Sequence, residues 1–132
     1  MKERKKLMVS ACTECGLKHY NKDLIVIDID GTLCKFVICR NENFLFAEPL
    51  PQRIKLVREL KAKGHNIILN TGRPESGRNQ TEEWLRKHNV PYDLLCMEKS
   101  GYAFVLDDAP VLTTWFPMSR DNNDEHVREW LL

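Results

Sequence analysis

The chain has 132 residues, 42% apolar and 30% charged, with a net charge of +1. That length suits one domain around one core, and the composition is that of an ordinary globular protein. A net charge this small excludes a global field that draws in nucleic acid or membrane, and no apolar stretch approaches the roughly 20 residues that span a bilayer.

Residues 1–23 read as an extension, because periodic apolar patterning begins only at Leu24. The extension is basic, with Lys2, Arg4, Lys5, Lys6, Lys18 and Lys22 against Glu3, Glu14 and Asp23. The plainest reading of such a segment is a solvated, flexible tail. Its short apolar run before Cys12 faintly resembles a lipoprotein signal. The run is shorter than the roughly seven residues that export needs, so a cytoplasmic location is expected. Five cysteines, an odd number, then suggest reduced thiols or a metal site rather than a disulfide framework. Cys12-Thr13-Glu14-Cys15 has the spacing of a zinc knuckle. The pair supplies two Zn²⁺ ligands, and Cys34, Cys39 or His19 are candidates for the rest.

Residues 24–28 form the first expected strand. Residues 36–39 and 44–46 flank Arg40-Asn41-Glu42-Asn43 and read as a small hairpin. Glu48-Pro49-Leu50-Pro51 opens a helix to about Lys63, with Ile54, Val57 and Leu60 as its apolar stripe and Gly64 as its stop. Residues 66–70 are a second strand. A second helix is expected over residues 80–88, with Asn79 and Glu82 as a capping box and Asn89 and Pro91 at its end. Trp84 and Leu85 belong to the core, as does the Cys96 thiol. Residues 93–97 and 102–106 are the third and fourth strands. A short helix from about Asp124 closes the chain, with Val127, Trp130 and Leu131 on one side. His65, His88 and His126 read as surface residues.

Strands alternating with helices imply an α/β fold, a three-layer Rossmann-like parallel sheet. Nearly continuous apolar strands imply that both faces are covered. Ligands of such sheets sit at the carboxyl ends of the strands. Asp28, Asp30, Thr71, Asp107 and Asp108 all fall there. Carboxylates gathered at one edge repel one another unless a cation is present, and Mg²⁺ suits them because it needs few carboxylates and keeps substrate phosphate as a ligand. One carboxylate can then attack phosphorus, and another, two residues on, can carry the proton. Thr71 offers a hydroxyl to phosphate oxygens, and Lys99 offsets transition-state charge. Arg73 either holds substrate phosphate or pairs with a carboxylate such as Glu75.

These segments resemble the haloacid dehalogenase-like (HAD) superfamily of phosphotransferases. Asp28-Ile29-Asp30-Gly31-Thr32 matches its first motif, Leu69-Asn70-Thr71-Gly72-Arg73 the second, Lys99 the third and Asp107-Asp108 the fourth. The resemblance covers about residues 24–116. It implies Asp28 as nucleophile and metal ligand, and Asp30 as general acid/base with its carbonyl on the metal. It implies Thr71, Gly72, Arg73 and Lys99 at the substrate phosphate, and Asp107 and Asp108 completing the Mg²⁺ site. Asn70-Thr71-Gly72-Arg73-Pro74-Glu75 is similar to the 3′-phosphatase domain of phage polynucleotide kinases. The compact run from Lys99 to Asp107-Asp108 looks more like small phosphatases of capsule and sugar biosynthesis.

Between Asp28 and Thr71 lie 42 residues, and between Thr71 and Lys99 lie 27. Neither stretch holds a cap domain, so residues 24–132 are expected to form an open phosphatase domain. An open site suits a bulky phosphoester, such as a nucleotide or nucleic-acid end, or cover by another subunit in an oligomer. A sugar phosphate is the alternative substrate. A non-catalytic module that binds nucleic acid or protein is the alternative from another class.

Overall fold

The structure, a computed structural model, describes residues 10–11, 18–19, 22–37, 41–101, 103–108, 110, 113–118 and 123–132. Its elements run β1 (Ser10–Ala11), β2 (Lys18–His19), β3 (Leu24–Ile27), α1 (Asn41–Phe44), α2 (Pro51–Ala62), β4 (Asn66–Asn70), a 3₁₀ turn (Glu75–Gly77), α3 (Arg78–Lys87), β5 (Leu94–Cys96) and α4 (Asn123–Leu131). In the basic extension, β1 and β2 pair antiparallel, with Ser10 opposite His19 and Ala11 opposite Lys18. Cys12 and Cys15, the candidate zinc pair, lie outside the described residues, as does Cys39.

The central sheet has the order β3-β4-β5 and is parallel throughout. Val26 pairs with Ile68, and Ile68 with Leu94. The expected strands at 24–28, 66–70 and 93–97 are therefore present. Both crossovers step in the same direction across the sheet. Right-handed crossovers of that kind put α2 and α3 on one face. There Ile54, Leu56, Val57 and Leu60 of α2 and Trp84 and Leu85 of α3 close over Ile67, Leu69 and Leu95, with Ile25 and Ile27 packed against them. Each fully buried aliphatic side chain contributes about 1.5–3 kcal/mol. Trp84 has no exposed surface, and its indole N–H donates to the Ala47 carbonyl at 2.8 Å.

The opposite face departs from expectation. Leu24, Val26 and Leu94 are more than half exposed, so among the described residues only one face of the sheet is covered. The expected fourth strand is the related correction. Residues 103–107 have no regular structure, and Phe104, Val105 and Leu106 are exposed. An apolar run gives a strand only when a neighbouring edge takes up its backbone groups, and this run takes no place in the sheets of the described residues.

The expected hairpin is also absent. Residues 41–44 form the helical turn α1. Phe44 is buried and fills the space a side chain at Gly77 would need, while Asn41 Nδ2 donates to Ser76 Oγ at 3.0 Å. Residues 38–40 of that expectation lie outside the described residues. Helix α3 begins at Arg78, capped by Gly77 without a side-chain hydrogen bond, so Asn79 sits inside the helix and the capping box does not form. Arg78 instead pairs with Glu75.

Helix α2 runs as expected, with Pro51 in its first turn and Gly64 at φ +100° as its stop, a backbone angle that glycine adopts without strain. His65 is a correction, because it is buried. Its Nδ1 accepts from the Asp23 backbone N–H at 3.0 Å, and its Nε2 lies 2.9 Å from the Leu131 carbonyl. The imidazole thus ties the start of β3 to the end of α4. Val127 and Leu131 bury the inner side of α4, and Arg53 fastens its start through Asp124 at 2.6 Å.

Candidate active site

The carboxyl end of β3 carries the first two acids. After Asp28 the chain turns tightly. The N–H groups of Thr32, Leu33 and Cys34 all point at the Ile29 carbonyl, at 3.1, 2.8 and 3.3 Å. Gly31 makes the turn possible, with φ +82° and the Phe36 ring 2.5 Å from where a Cβ would stand. Ile29 and Leu33 are buried beneath, which tips Asp28 and Asp30 toward the mouth of the site.

The ends of β4 and β5 are laced together. Thr71 N–H donates to the Cys96 carbonyl, Lys99 N–H to the Thr71 carbonyl and Glu98 N–H to the Arg73 carbonyl, each at 2.9 Å. This lacing delivers Lys99 to the first motif. Its Nζ lies 3.1 Å from Asp28 Oδ1, and Thr32 Oγ1 donates to Asp28 Oδ2 at 3.2 Å. Asp28 is thus held from both sides while about a third of its side chain stays exposed. Thr71 is fully buried, and its Oγ1 accepts the Arg73 backbone N–H at 3.2 Å. Gly72 is exposed, and nothing stands within 4 Å of the space a Cβ would take, which leaves that loop open to a ligand.

Arg73 takes the carboxylate alternative of the two read from sequence, with a different partner. It does not pair with Glu75, which is taken by Arg78. It pairs with Asp30 in a two-pronged grip, Nε to Oδ2 at 2.9 Å and Nη2 to Oδ1 at 2.8 Å. The Arg73 side chain is 1% exposed and that of Asp30 20%. Nη1 donates to Thr81 Oγ1 at 3.0 Å, and the guanidinium lies 4.2 Å from the centre of the Phe44 ring. Cys34 completes this cluster, its Sγ 3.5 Å from Asp30 Oδ1. Burial pushes its thiol up to about 12, with the Asp30 carboxylate adding to the rise and Arg73 opposing it. The thiol is therefore a protonated packing group rather than a nucleophile. The sequence marked Cys34 only as a candidate zinc ligand and Phe44 only as part of a hairpin strand, since their place beside Asp30 and Arg73 arises only where α1 and the turn after β3 meet.

Asp107 and Asp108 are exposed, and among the described residues no three His, Cys, Asp or Glu side chains gather as a metal site. The expected cluster of Asp28, Asp30, Asp107 and Asp108 is therefore not assembled. The donor set that is present still fits Mg²⁺ in one respect, since that ion binds through one or two carboxylates together with waters and phosphate oxygens. Asp28 supplies one partly exposed carboxylate.

Over residues 25–109 the sequence matches the family described as PITM 1-3, LNS2 domain. The chain belongs to the LNS2 domain family. The LNS2 domain has a HAD-like phosphatase fold, and some LNS2 domains are non-catalytic. Two solved structures of a Pnkp1/Rnl/Hen1 complex, one described as an RNA repair complex, superpose on this LNS2 chain with TM-scores of 0.55 and 0.54. They are 26% and 25% identical and cover 60% and 61% of it. The matched region is only 29% and 27% of those chains. A protein from Vibrio cholerae superposes with a TM-score of 0.51 at 26% identity, over 67% of this chain and 82% of its own. No curated protein sequence matches. Family and neighbours together point to a HAD-like fold. No described helix is long and apolar enough to cross a membrane.

Proposed function

We propose that this LNS2 chain is a phosphomonoesterase that works through an aspartyl-phosphate on Asp28. The observation that carries the reading is Asp28 itself, set at the end of a parallel strand, held by Lys99 and Thr32, and still open to solvent. A carboxylate in that position can attack phosphorus in line. Lys99 offsets charge on the phosphoryl oxygens, and the open Gly72 loop receives them. As the Asp28–phosphorus bond forms, the bond to the leaving oxygen breaks, its electrons pass to that oxygen, and Asp30 supplies the proton. Asp30 then takes a proton from water, whose oxygen attacks phosphorus. Inorganic phosphate leaves and the Asp28 carboxylate is restored.

Mg²⁺ is the cofactor we propose. Asp28 and the Asp30 backbone carbonyl would hold it, with waters and substrate phosphate oxygens as the remaining ligands. When bound it supplies charge neutralisation on the phosphoryl oxygens.

The proposed substrate class is a bulky phosphomonoester, because neither gap between motifs holds a cap. A nucleotide or nucleic-acid end comes first, in keeping with the RNA repair complex among the structural neighbours, and a sugar phosphate second. The rival reading is a non-catalytic binding module. It is favoured by the unassembled carboxylate cluster.

An aryl phosphate with Mg²⁺ tests the choice. The native chain should release phosphate, and Asp28→Asn should lose at least about a hundredfold in kcat. Unchanged turnover in Asp28→Asn would remove Asp28 as nucleophile. No release by the native chain from aryl, nucleotide, 3′-phosphorylated oligonucleotide or sugar phosphates would favour the binding module.

A further inference from the structure

Arg73 is too deeply held to act as an ordinary phosphate contact. Its side chain is 1% exposed, and three of its nitrogens are committed, two to Asp30 and one to Thr81. A guanidinium that moved to substrate would leave the Asp30 carboxylate and the Thr81 hydroxyl behind and would uncover the Phe44 ring. We propose that Arg73 is a positioning residue for Asp30, braced by Phe44 of α1, and that it serves proton transfer rather than phosphate binding. The proposal rests on the phosphatase reading above.

The geometry supports this in three ways. A planar fork meeting both carboxylate oxygens fixes the rotation as well as the place of the carboxylate, which a single ammonium contact does not. The fork is itself fixed, by the Thr81 hydroxyl on one edge and the Phe44 face at 4.2 Å. Phe44 is locked in turn, since it fills the space beside Gly77 and Asn41 of the same helix holds Ser76. Segments 30–34, 41–44 and 73–81 therefore share one cluster, and the excursion after β3 sets the aim of Asp30. A misplacement of about 1 Å in a reacting group can lose about a hundredfold in rate.

Proton transfer matters most when the leaving oxygen is strongly basic. A series of aryl and alkyl phosphates of rising leaving-group basicity, turned over with Mg²⁺, separates the roles. Arg73→Met should lose on the order of a hundredfold in kcat on the most basic leaving groups and only a few-fold on the least basic. Asp30→Asn should show the same dependence, and the double variant should be no worse than the more impaired single one. Arg73→Lys, which keeps charge without the fork, should recover part of the loss. Phe44→Leu, which keeps bulk without the aromatic face, should show the same pattern more weakly. Inhibition by inorganic phosphate should stay within a few-fold throughout.

A uniform loss across the series, with weaker inhibition by inorganic phosphate, would overturn the proposal and make Arg73 a phosphate contact. Equal turnover by Arg73→Met and the native chain on every substrate would also overturn it. Asp28→Asn keeps the two ideas apart. If that variant is inactive while Arg73→Met loses uniformly, the phosphatase reading survives and only the positioning role fails.

Discussion

Removing Asp30 from the Asp30–Arg73 pair should destabilise the fold by more than the pair itself is worth. Asp30→Asn leaves a guanidinium that is 1% exposed facing an amide that can accept one hydrogen bond and presents N–H groups to the other donor. Stranding one member of a buried ion pair costs roughly 3–5 kcal/mol. Asp30 itself is 20% exposed, so water reaches the gap and the lower end, about 3 kcal/mol, is expected. Arg73→Met leaves a carboxylate that can hydrate through that exposed edge. It also ends the contact with Phe44, worth about 0.5–2 kcal/mol, so about 2 kcal/mol should be lost. With both replacements no charge is stranded, and the total should be about 3 kcal/mol rather than the sum of the singles. The coupling energy is then about 2 kcal/mol. Urea unfolding followed by tryptophan fluorescence measures all four proteins. Effects that add to within about 0.5 kcal/mol would refute the reasoning, since that is how independent sites behave.

Trp84→Ala should destabilise by about 3–5 kcal/mol, because the side chain has no exposed surface. Trp84→Phe should lose about 1–3 kcal/mol for the orphaned Ala47 carbonyl. Losses under about 1 kcal/mol in both urea titrations would remove Trp84 as a centre of the core. Lys61 holds the Asp93 carboxyl below its ordinary value, and the Ile67 backbone N–H adds to the effect. A lowered folded-state value means the stabilisation is present above the unfolded value of about 4 and is lost as pH falls through the folded one. Asp93→Asn should flatten the loss of stability below about pH 4 and leave its slope near neutrality unchanged. Urea midpoints across that range check it, and an acid limb as steep as that of the native chain would contradict it.

Much of the site was legible in the sequence because it is local. Asp28, Asp30 and Gly31 share one turn, and Thr71 and Arg73 follow one strand directly. The apolar runs at Leu24 and Asn66 became paired strands because neighbouring runs of the same kind were there to pair with them. What was not legible depends on contacts between distant segments. Phe44 reads as strand by its residue type, yet packing against Gly77 and Arg73 places it on a helical turn. His65 reads as surface because nothing nearby in sequence shows that Asp23 and Leu131 will enclose it. The run from Phe104 to Leu106 has the composition of a strand but takes no place in the sheet of the described residues, and no three of the expected carboxylates gather as a metal site. The carboxylate that Arg73 pairs with is not the nearby Glu75 but Asp30, 43 residues away in sequence.

The aspartyl-phosphate is the central claim, and direct trapping tests it. Protein turning over an aryl phosphate with Mg²⁺ is quenched with borohydride, which reduces an acyl phosphate to the alcohol and converts the aspartate to homoserine. Peptide mass spectrometry then reads the position. The account predicts homoserine at Asp28 in the native chain and none in Asp28→Asn. Phosphate release by the native chain with Asp28 left unmodified, or with the label on another carboxylate, would contradict it.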